Sequence, residues 1–432
     1  MTRAATVLVL LLLVGPATGQ EKKKPEVNDR LASLLTLAKA DATRIRGLPF
    51  TAGVPVKKIT PEEFRVQVLR DLHRLFGKGE RLARMEHLLK RLKILPVDTG
   101  VIELVDRFFP KSVAANYDPF RKRISFLRGF SSHSIMVHEL VHALQDQHFN
   151  IARKVTGGPA EFDRLLALGA LAEGDAESVQ RHYDTKGVLA LTPLPAVETW
   201  GRQQIEKFLA RATDIPRGVA RPFIFQYFDG MLFVEALKRT GNAGYEAVNR
   251  AWDDPPESTE QVLHPRKYIV RDRPTRILPM RTPGGRKILL ENTLGELGVG
   301  IVLEAHLGKG WPRAAAAGWD GDRVLLLSNG ENDPVLAWLT TWDTANDARE
   351  FAAAAKEMLA LRKPEGVLSE DEGSGILVRT EGETAHAVVH RHRDVLFVLG
   401  LPKGSLRSIV TDLLRSAKVE LRPHRSRFGS SD

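Results

Sequence analysis

Apolar residues recur at helical spacing through most of the first 270 positions, and short strand-like runs take over after them. Between residues 28 and 109 the pattern is mainly helical. Leu31, Leu34, Leu35 and Leu37 begin one amphipathic segment. Thr60-Pro61-Glu62-Glu63 opens another, with a threonine cap, proline in the first turn and glutamate three residues after the cap. Residues 113–117 and 124–127 read as two short strands joined by a turn at Asp118-Pro119. Residues 131–150 and 159–183 predict two long helices, and 203–212 and 228–240 two more. Residues 186–197, with two prolines, and 253–265, with Pro255-Pro256, predict loops. After about residue 272, strands are expected at 324–327, 335–341, 375–380, 385–392 and 395–399. Helices are expected there at 294–307, 347–361 and 406–417. The expected fold class is therefore α+β: a helical region at 20–110, a mainly helical domain at 111–272, and a smaller α+β domain at 273–432. No internal repeat of fixed period is present.

The N-terminus has its own pattern. Arg3 precedes an unbroken apolar run at residues 7–14, Gly15-Pro16 breaks it, and Ala17-Thr18-Gly19 offers small residues for cleavage. This is the layout of a secretory signal peptide. The run is short of the ~20 residues that span a bilayer, so an exported protein cleaved after Gly19, with no stable membrane span, is expected. Residues 20–27 are polar and lysine-rich, as in a flexible leader.

Composition narrows the chemistry. The 432 residues are 43% hydrophobic and 27% charged, enough apolar material for packed cores. Lys and Arg total 63 against 53 Asp and Glu, a net charge of +10. Aromatics are only 7%, and no basic block is interleaved with them, so nucleic acid is not an expected partner. There are no cysteines, which excludes disulfides, thiolate nucleophiles and cysteine-ligated metals. Any metal site must use His, Asp and Glu.

One motif meets that requirement. His138-Glu139-Leu140-Val141-His142 fits H-E-x-x-H within the expected helix 131–150. Residues four apart on a helix point nearly the same way, so His138 and His142 can hold one Zn2+, and Glu139 can reach a water beside it as general base. Ser132 or Ser134 can cap the helix. For the third ligand, His148 has the metzincin spacing, but Gln145 stands where that motif turns at glycine. On a continuing helix His148 is rotated by ~240° from His142. Glu173 is the preferred choice. It sits in the second long helix among apolar neighbours, where an unpaired carboxylate is costly and a metal would supply the missing charge. Gly169 and Gly174 are expected to let that helix approach the first closely. Glu177 shares the face of Glu173 and is placed to accept a hydrogen bond from the free ring N–H of a ligating histidine. Asp175 lies ~200° from Glu173 and reads as structural, as a cap or the partner of a base.

His138-Glu139-x-x-His142, followed by a helix carrying Glu173 and an acid four residues on, resembles the gluzincins, the thermolysin-like zinc peptidases. The strand 124–127 is similar to their substrate-side edge strand, and HELVHALQDQHF with a later AEGDA is similar to a group of exported bacterial metallopeptidase-like proteins. The resemblance is firm over residues 131–180 and in outline spans 113–268. It implies a zincin-like domain with a small edge sheet, a peptide or protein substrate, and hydrolysis of peptide bonds. Glu177 departs from it, since the thermolysin type has Asp there. Gluzincins also donate to the developing oxyanion from Tyr or His. Tyr227 and His264 are the candidates for that role, though no motif aligns either.

Weaker signals read as structural. His386, His390 and His392 cluster on an expected strand face without a carboxylate at fixed spacing. Residues 320–322 and 329–333 are turn formers that complete no calcium loop. The alternative to an enzyme is an exported peptidase-like binding protein whose zinc is structural or absent. The export reading makes one prediction: N-terminal sequencing of secreted protein finds Gln20 or a close neighbour first, and an intact Met1 or Thr2 would overturn it.

Overall fold

The computed structural model describes residues 27–420, apart from short breaks at 77, 113–114, 128–131, 159, 280–281, 309, 331–332, 363–366 and 372–375. The expected signal peptide and leader, and the outer ends of several expected elements (Val113, Ser131, Pro159, Gly375), lie outside the described residues. The chain is a mixed α+β protein with a large C-terminal sheet. It divides into two compact units. One comprises residues 27–86 and 94–256, the other residues 87–93 and 257–420. Among the described residues, no helix is long and apolar enough to cross a membrane.

The first unit runs α1 (Val27–Arg46), β1 (Val56–Ile59), α2 (Pro61–Phe76), α3 (Glu80–Arg91, whose last turn belongs to the second unit), α4 (Val101–Ser112), β2 (Ala115–Asp118), β3 (Arg123–Leu127), α5 (His133–Phe149), α6 (Ile151–Thr156), α7 (Phe162–Asp184), α8 (Val188–Leu191), α9 (Leu194–Arg211), α10 (Arg217–Ile224), α11 (Gly230–Arg239) and α12 (Tyr245–Asp253). The start of α2 is a full capping box: Glu63 N–H donates to Thr60 Oγ1 at 3.1 Å, and Thr60 N–H donates to Glu63 Oε2 at 2.8 Å. The expected loop at 186–197 is helical instead. Pro193 caps α9 and Pro195 lies in its first turn, where a missing N–H costs nothing.

Helices α5 and α7 are buried on all sides, from Ile135 to Asp146 in α5 and along most of α7. Such helices are central rather than amphipathic. Ala38, Ala42 and Ile45 of α1 share one core with Met136, Leu140, Val141 and Leu144 of α5, Ala176 and Val179 of α7, and Tyr117 and Ile124 of the small sheet. Helix α1, from the expected helical region at 20–110, thus packs directly against the motif helix.

The small sheet has the order β1-β3-β2, with β1 parallel and β2 antiparallel to β3. The strand expected at an edge, residues 124–127, is therefore the central one. Strand β1, with Lys57 and Lys58 in its four residues, carries too little alternation to be read from sequence, yet it covers the outer edge of β3. The edge near α5 belongs to β2.

The glycine expectation also changes. A Cβ at Gly174 would lie 2.1 Å from the carbonyl carbon of Gly230, and one at Gly230 would lie 2.3 Å from Ala170 O. Gly174 therefore brings α7 against α11, not against α5. Between α10 and α11 the chain makes one π-helical turn, Phe225–Asp229, so Tyr227 lies inside a continuous helical run rather than before its start.

In the second unit, seven strands form an antiparallel sheet of order β5-β6-β7-β11-β10-β9-β8: β5 (Ile288–Asn292), β6 (Trp319–Leu327), β7 (Val335–Trp342), β8 (Val367–Asp371), β9 (Ile376–Glu381), β10 (Thr384–Arg391) and β11 (Asp394–Pro402). A separate pair joins β4 (Thr275–Leu278) and β12 (Ala417–Glu420). Short helix α13 (Thr259–Leu263), capped by Ser258, lies within the loop expected at 253–265, and α14 (Pro265–Ile269) follows it. Helices α15 (Gly295–Leu307), α16 (Arg313–Ala316), α17 (Ala345–Ala360) and α18 (Leu406–Leu414) complete the unit. Ile409, Val410 and Leu413 of α18 pack on one sheet face, while Phe351 of α17 stacks on Trp342, ring centroids 4.8 Å apart. Buried Asp322 accepts from the backbone N–H groups of Leu294 and Gly295 and from the indoles of Trp319 and Trp338, tying the start of α15 to the sheet.

The contact between α7 and α11 is testable. Gly174→Ala inserts a methyl into backbone already in contact, and should cost at least ~1–3 kcal/mol, read as a lowered Tm. A variant as stable as the wild type would contradict the close approach.

Candidate metal centre

Helix α5 begins at Ser132, whose Oγ accepts from Ile135 N–H at 3.4 Å. It ends at Asn150, whose left-handed backbone (φ 55°) turns the chain while its side chain caps α6 through Arg153 N–H. The turn thus comes eight residues after His142 rather than three. Over that continuing helix His148 is carried away, and its Nε2 lies 2.8 Å from Pro49 O.

One helical turn apart, His138 and His142 bring their Nε2 atoms to 3.1 Å of each other. Glu173 of α7 meets both: Oε2 lies 3.1 Å from His138 Nε2, and Oε1 lies 3.5 Å from His142 Nε2. All three residues are fully buried, and among the described residues they are the group whose donor atoms converge as a metal site would require. In a tetrahedral site with bonds of 2.0–2.1 Å, neighbouring ligand atoms stand ~3.3 Å apart; here the two imidazole nitrogens are 3.1 Å apart, each lies 3.1 or 3.5 Å from one of the two Glu173 oxygens, and one ligand atom from each residue lies within 4.8 Å of the others. Among the described residues, Glu173 Oε1 has no polar partner nearer than His142 Nε2 at 3.5 Å, and a cation between them would satisfy it. The donor set, two imidazoles and a carboxylate, suits zinc.

Glu139 faces the small sheet. Its Oε2 accepts from Tyr117 N–H on β2 at 2.6 Å, while Oε1 is buried with no hydrogen-bond partner. Tyr117 is itself held by its hydroxyl, which donates to Asp146 Oδ2 at 2.8 Å; Lys122 Nζ reaches the same oxygen at 3.0 Å. Burial pushes the Glu139 carboxyl up to about 7, with the nearby Glu173 charge adding to the effect and His138, His142 and the Tyr117 N–H opposing it. For His142, burial disfavours the charged ring, but the Glu173 carboxylate outweighs it and moves the imidazole up to about 9. Burial would likewise raise Glu173, and the two histidines overcome it, holding that carboxyl below the usual range. The buried acids and imidazoles thus compensate one another's charge.

The other residues singled out by sequence fare differently. Glu177 Oε2 stops 4.0 Å from His138 Nδ1, beyond hydrogen-bond range, because Arg181 Nε holds its other oxygen at 2.6 Å. The expected hydrogen bond to a ligating histidine is not made, and His138 Nδ1 has no partner. Tyr227 is brought to the site: its ring stacks on His138 with centroids 6.0 Å apart, presented by the π-helical turn. His264 belongs to the second unit, where its Nε2 lies 2.9 Å from Glu296. His386 is buried and accepts from Gly400 N–H at 3.1 Å. His390 and His392 do not share a strand face, since His392 sits in the β10–β11 turn with φ 55°.

Two further residues are tied to the site without having been assigned a role by sequence. Gln145 Oε1 lies 2.9 Å from His142 Nδ1, and Gln145 Nε2 donates to Ala172 O at 3.0 Å and to Asp175 Oδ2 at 3.1 Å. Asp175 pairs in turn with Arg46 of α1, with Nε 2.8 Å from Oδ1 and both side chains fully buried. The expected pairing of Asp175 with a base is present. For Gln145, the signal in the sequence is its place three residues after His142, one turn along the same face. Arg46 carries no local signal, because its partner is 129 residues away.

Residues 286–410, from just before β5 to within α18, match the model of a domain of unknown function (DUF8575). No curated protein and no solved structure matches the chain. The matched segment lies in the second unit and contains none of His138, Glu139, His142 and Glu173.

The Tyr117 hydroxyl is testable separately from any metal. Tyr117→Phe removes a buried donor to a carboxylate and should cost ~1–3 kcal/mol in denaturant unfolding. An unchanged midpoint would show that the bond to Asp146 contributes nothing.

Proposed function

We propose that the chain is an exported zinc-dependent metallopeptidase of gluzincin type, with a zincin-like first unit and an accessory second unit. His138, His142 and Glu173 would hold zinc, which when bound supplies Lewis acidity toward a carbonyl and lowers the pKa of water. Glu139 then acts as the general base: it takes the proton of the attacking water and passes it to the leaving amine. The Tyr117 N–H orients this carboxylate, keeping Oε2 occupied and Oε1 available. Of the two candidate oxyanion donors, Tyr227 is the better placed, stacked beside His138. The observation that supports this reading best is the convergence of three metal-suited side chains beside a carboxylate that is anchored at one oxygen and free of hydrogen bonds at the other.

A specific observation favours a second reading. His138, Glu139, His142 and Glu173 are all completely buried, as in a structural site closed to substrate. On that reading the protein is an exported peptidase-like binding protein.

Zinc content and cleavage of a mixed peptide library separate the two. Under the enzyme reading, Glu139→Gln keeps zinc and loses hydrolysis by ~10²-fold or more. His138→Ala and Glu173→Ala lose zinc and activity together, and His148→Ala keeps both. Zinc without any hydrolysis in the wild type would favour the structural site. Loss of zinc in His148→Ala with retention in Glu173→Ala would overturn the ligand set.

A further inference from the structure

We propose that Gln145, held in one orientation by Asp175, Arg46 and Trp252, is a positioning residue that keeps a hydrogen on His142 Nδ1 and so commits His142 Nε2 to the side of His138 and Glu173. The inference builds on the metal reading for its purpose, but its geometry lies in the protein groups alone.

The two ends of a glutamine amide, C=O and NH2, are alike in shape but opposite in hydrogen-bonding role, so its orientation follows from its surroundings. One end of Gln145 lies 3.0 Å from Ala172 O and 3.1 Å from Asp175 Oδ2. A backbone carbonyl and a carboxylate both accept and cannot donate, so this end is the NH2 group. The other end is therefore the carbonyl oxygen. It lies 2.9 Å from His142 Nδ1, and an oxygen that only accepts requires a hydrogen on that nitrogen. In the neutral ring the lone pair then resides on Nε2, the atom 3.1 Å from His138 Nε2 and 3.5 Å from Glu173 Oε1.

The orientation depends on Asp175 remaining an acceptor in place, and donors from two other helices see to that. Arg46 Nε donates to Oδ2 at 3.0 Å and also stands 2.8 Å from Oδ1. Trp252 Nε1 donates to Oδ2 at 3.2 Å. Arg46 is fixed in turn by Asn249 Oδ1 at 2.8 Å and by the Tyr245 ring, 4.7 Å from its guanidinium. Gln145, Asp175, Arg46 and Trp252 are all essentially inaccessible to water, so solvent offers no competing partner that would let the amide turn over. Parts of α1, α5, α7 and α12 thus converge on one ring nitrogen. The arrangement also explains why a glutamine, which can accept at one end and donate at the other, follows His142: a carboxylate at 145 would face Asp175 and Ala172 O with no hydrogen to give.

A purely structural role for Gln145 would tie helices together without controlling the imidazole, and the test separates the two. Protein labelled with 15N at histidine, prepared without metal, is compared as wild type and Gln145→Met, a variant of similar length that can neither accept nor donate strongly. The expected wild-type spectrum contains a His142 Nδ1–H resonance protected from exchange with solvent. In Gln145→Met that protection is lost, and zinc titrations show affinity lower by ~10–100-fold. Trp252→Phe removes one donor to Asp175 and should lower the protection in the same direction. A wild-type His142 whose Nδ1 carries no protected hydrogen overturns the proposal, whether or not Gln145→Met folds. So does a folded Gln145→Met that keeps both the protected resonance and wild-type zinc affinity. If the protected hydrogen is present and lost in the variant while the wild type binds no zinc, the positioning role stands and the metal reading fails.

Discussion

Polar groups in a dry interior must satisfy one another, and that constraint organises the first unit. Helices α5 and α7 run through its core and bring with them His138, Glu139, His142, Gln145, Asp146, Glu173, Asp175 and Glu177, all buried. Each such group costs free energy unless it finds a partner, and a charge costs far more. Most of the contacts made by neighbouring elements answer that requirement. The Tyr117 N–H meets Glu139, the Tyr117 hydroxyl and Lys122 meet Asp146, Arg181 meets Glu177, and Arg46 meets Asp175. Removing one member of a buried ion pair such as Arg46–Asp175 typically costs ~3–5 kcal/mol, because its partner is left charged and unpaired.

What these contacts leave unsatisfied is as informative. Glu139 Oε1, Glu173 Oε1 and His138 Nδ1 have no hydrogen bond, although the groups around them are densely paired. Glu173 Oε1 and Glu139 Oε1 belong to the candidate site, where the two histidine Nε2 atoms meet the Glu173 carboxylate, while His138 Nδ1 is on the far side of its ring, toward Glu177. A second polar cluster next to it is complete by comparison: Glu235 of α11 accepts from Ser178 and pairs with Lys238 and Arg239. The candidate site shares this unmet hydrogen-bonding capacity with other buried positions among the described residues, and a cation there would meet that of the two carboxylate oxygens.

Much of this is legible from residue patterns. The motif helix, the Glu173 helix, the capping box at Thr60 and most of the central strands of the second unit follow from periodicity and caps, which are local properties. The divergence of His148 follows from 3.6 residues per turn. The parts that are not legible have physical reasons of their own. Strands β1, β4, β5, β8 and β12 escape the pattern because those at sheet margins pair on one side only and carry charged residues, which weakens their alternation. The first part of α9, before the stretch expected at 203–212, hides behind two prolines that are harmless at a helix start. Gly174 is legible as a point of close approach, but which helix approaches is a question that only packing answers.

The sequence by itself determined which side chains one helix can present together: His138 with His142, Glu173 with Glu177, and Gln145 one turn beyond His142. Helical geometry relates neighbours three and four apart without reference to the rest of the chain. The tertiary structure alone decided which of these groups meet. It set Glu173 against both histidines and stopped Glu177 short by pairing it with Arg181. It also ran a chain of hydrogen bonds from His142 through Gln145 and Asp175 to Arg46. Those partners lie as far as 129 residues apart, and no local rule connects them; they come together because helices buried on every side must find, in whatever packs against them, the complements of their own polar groups.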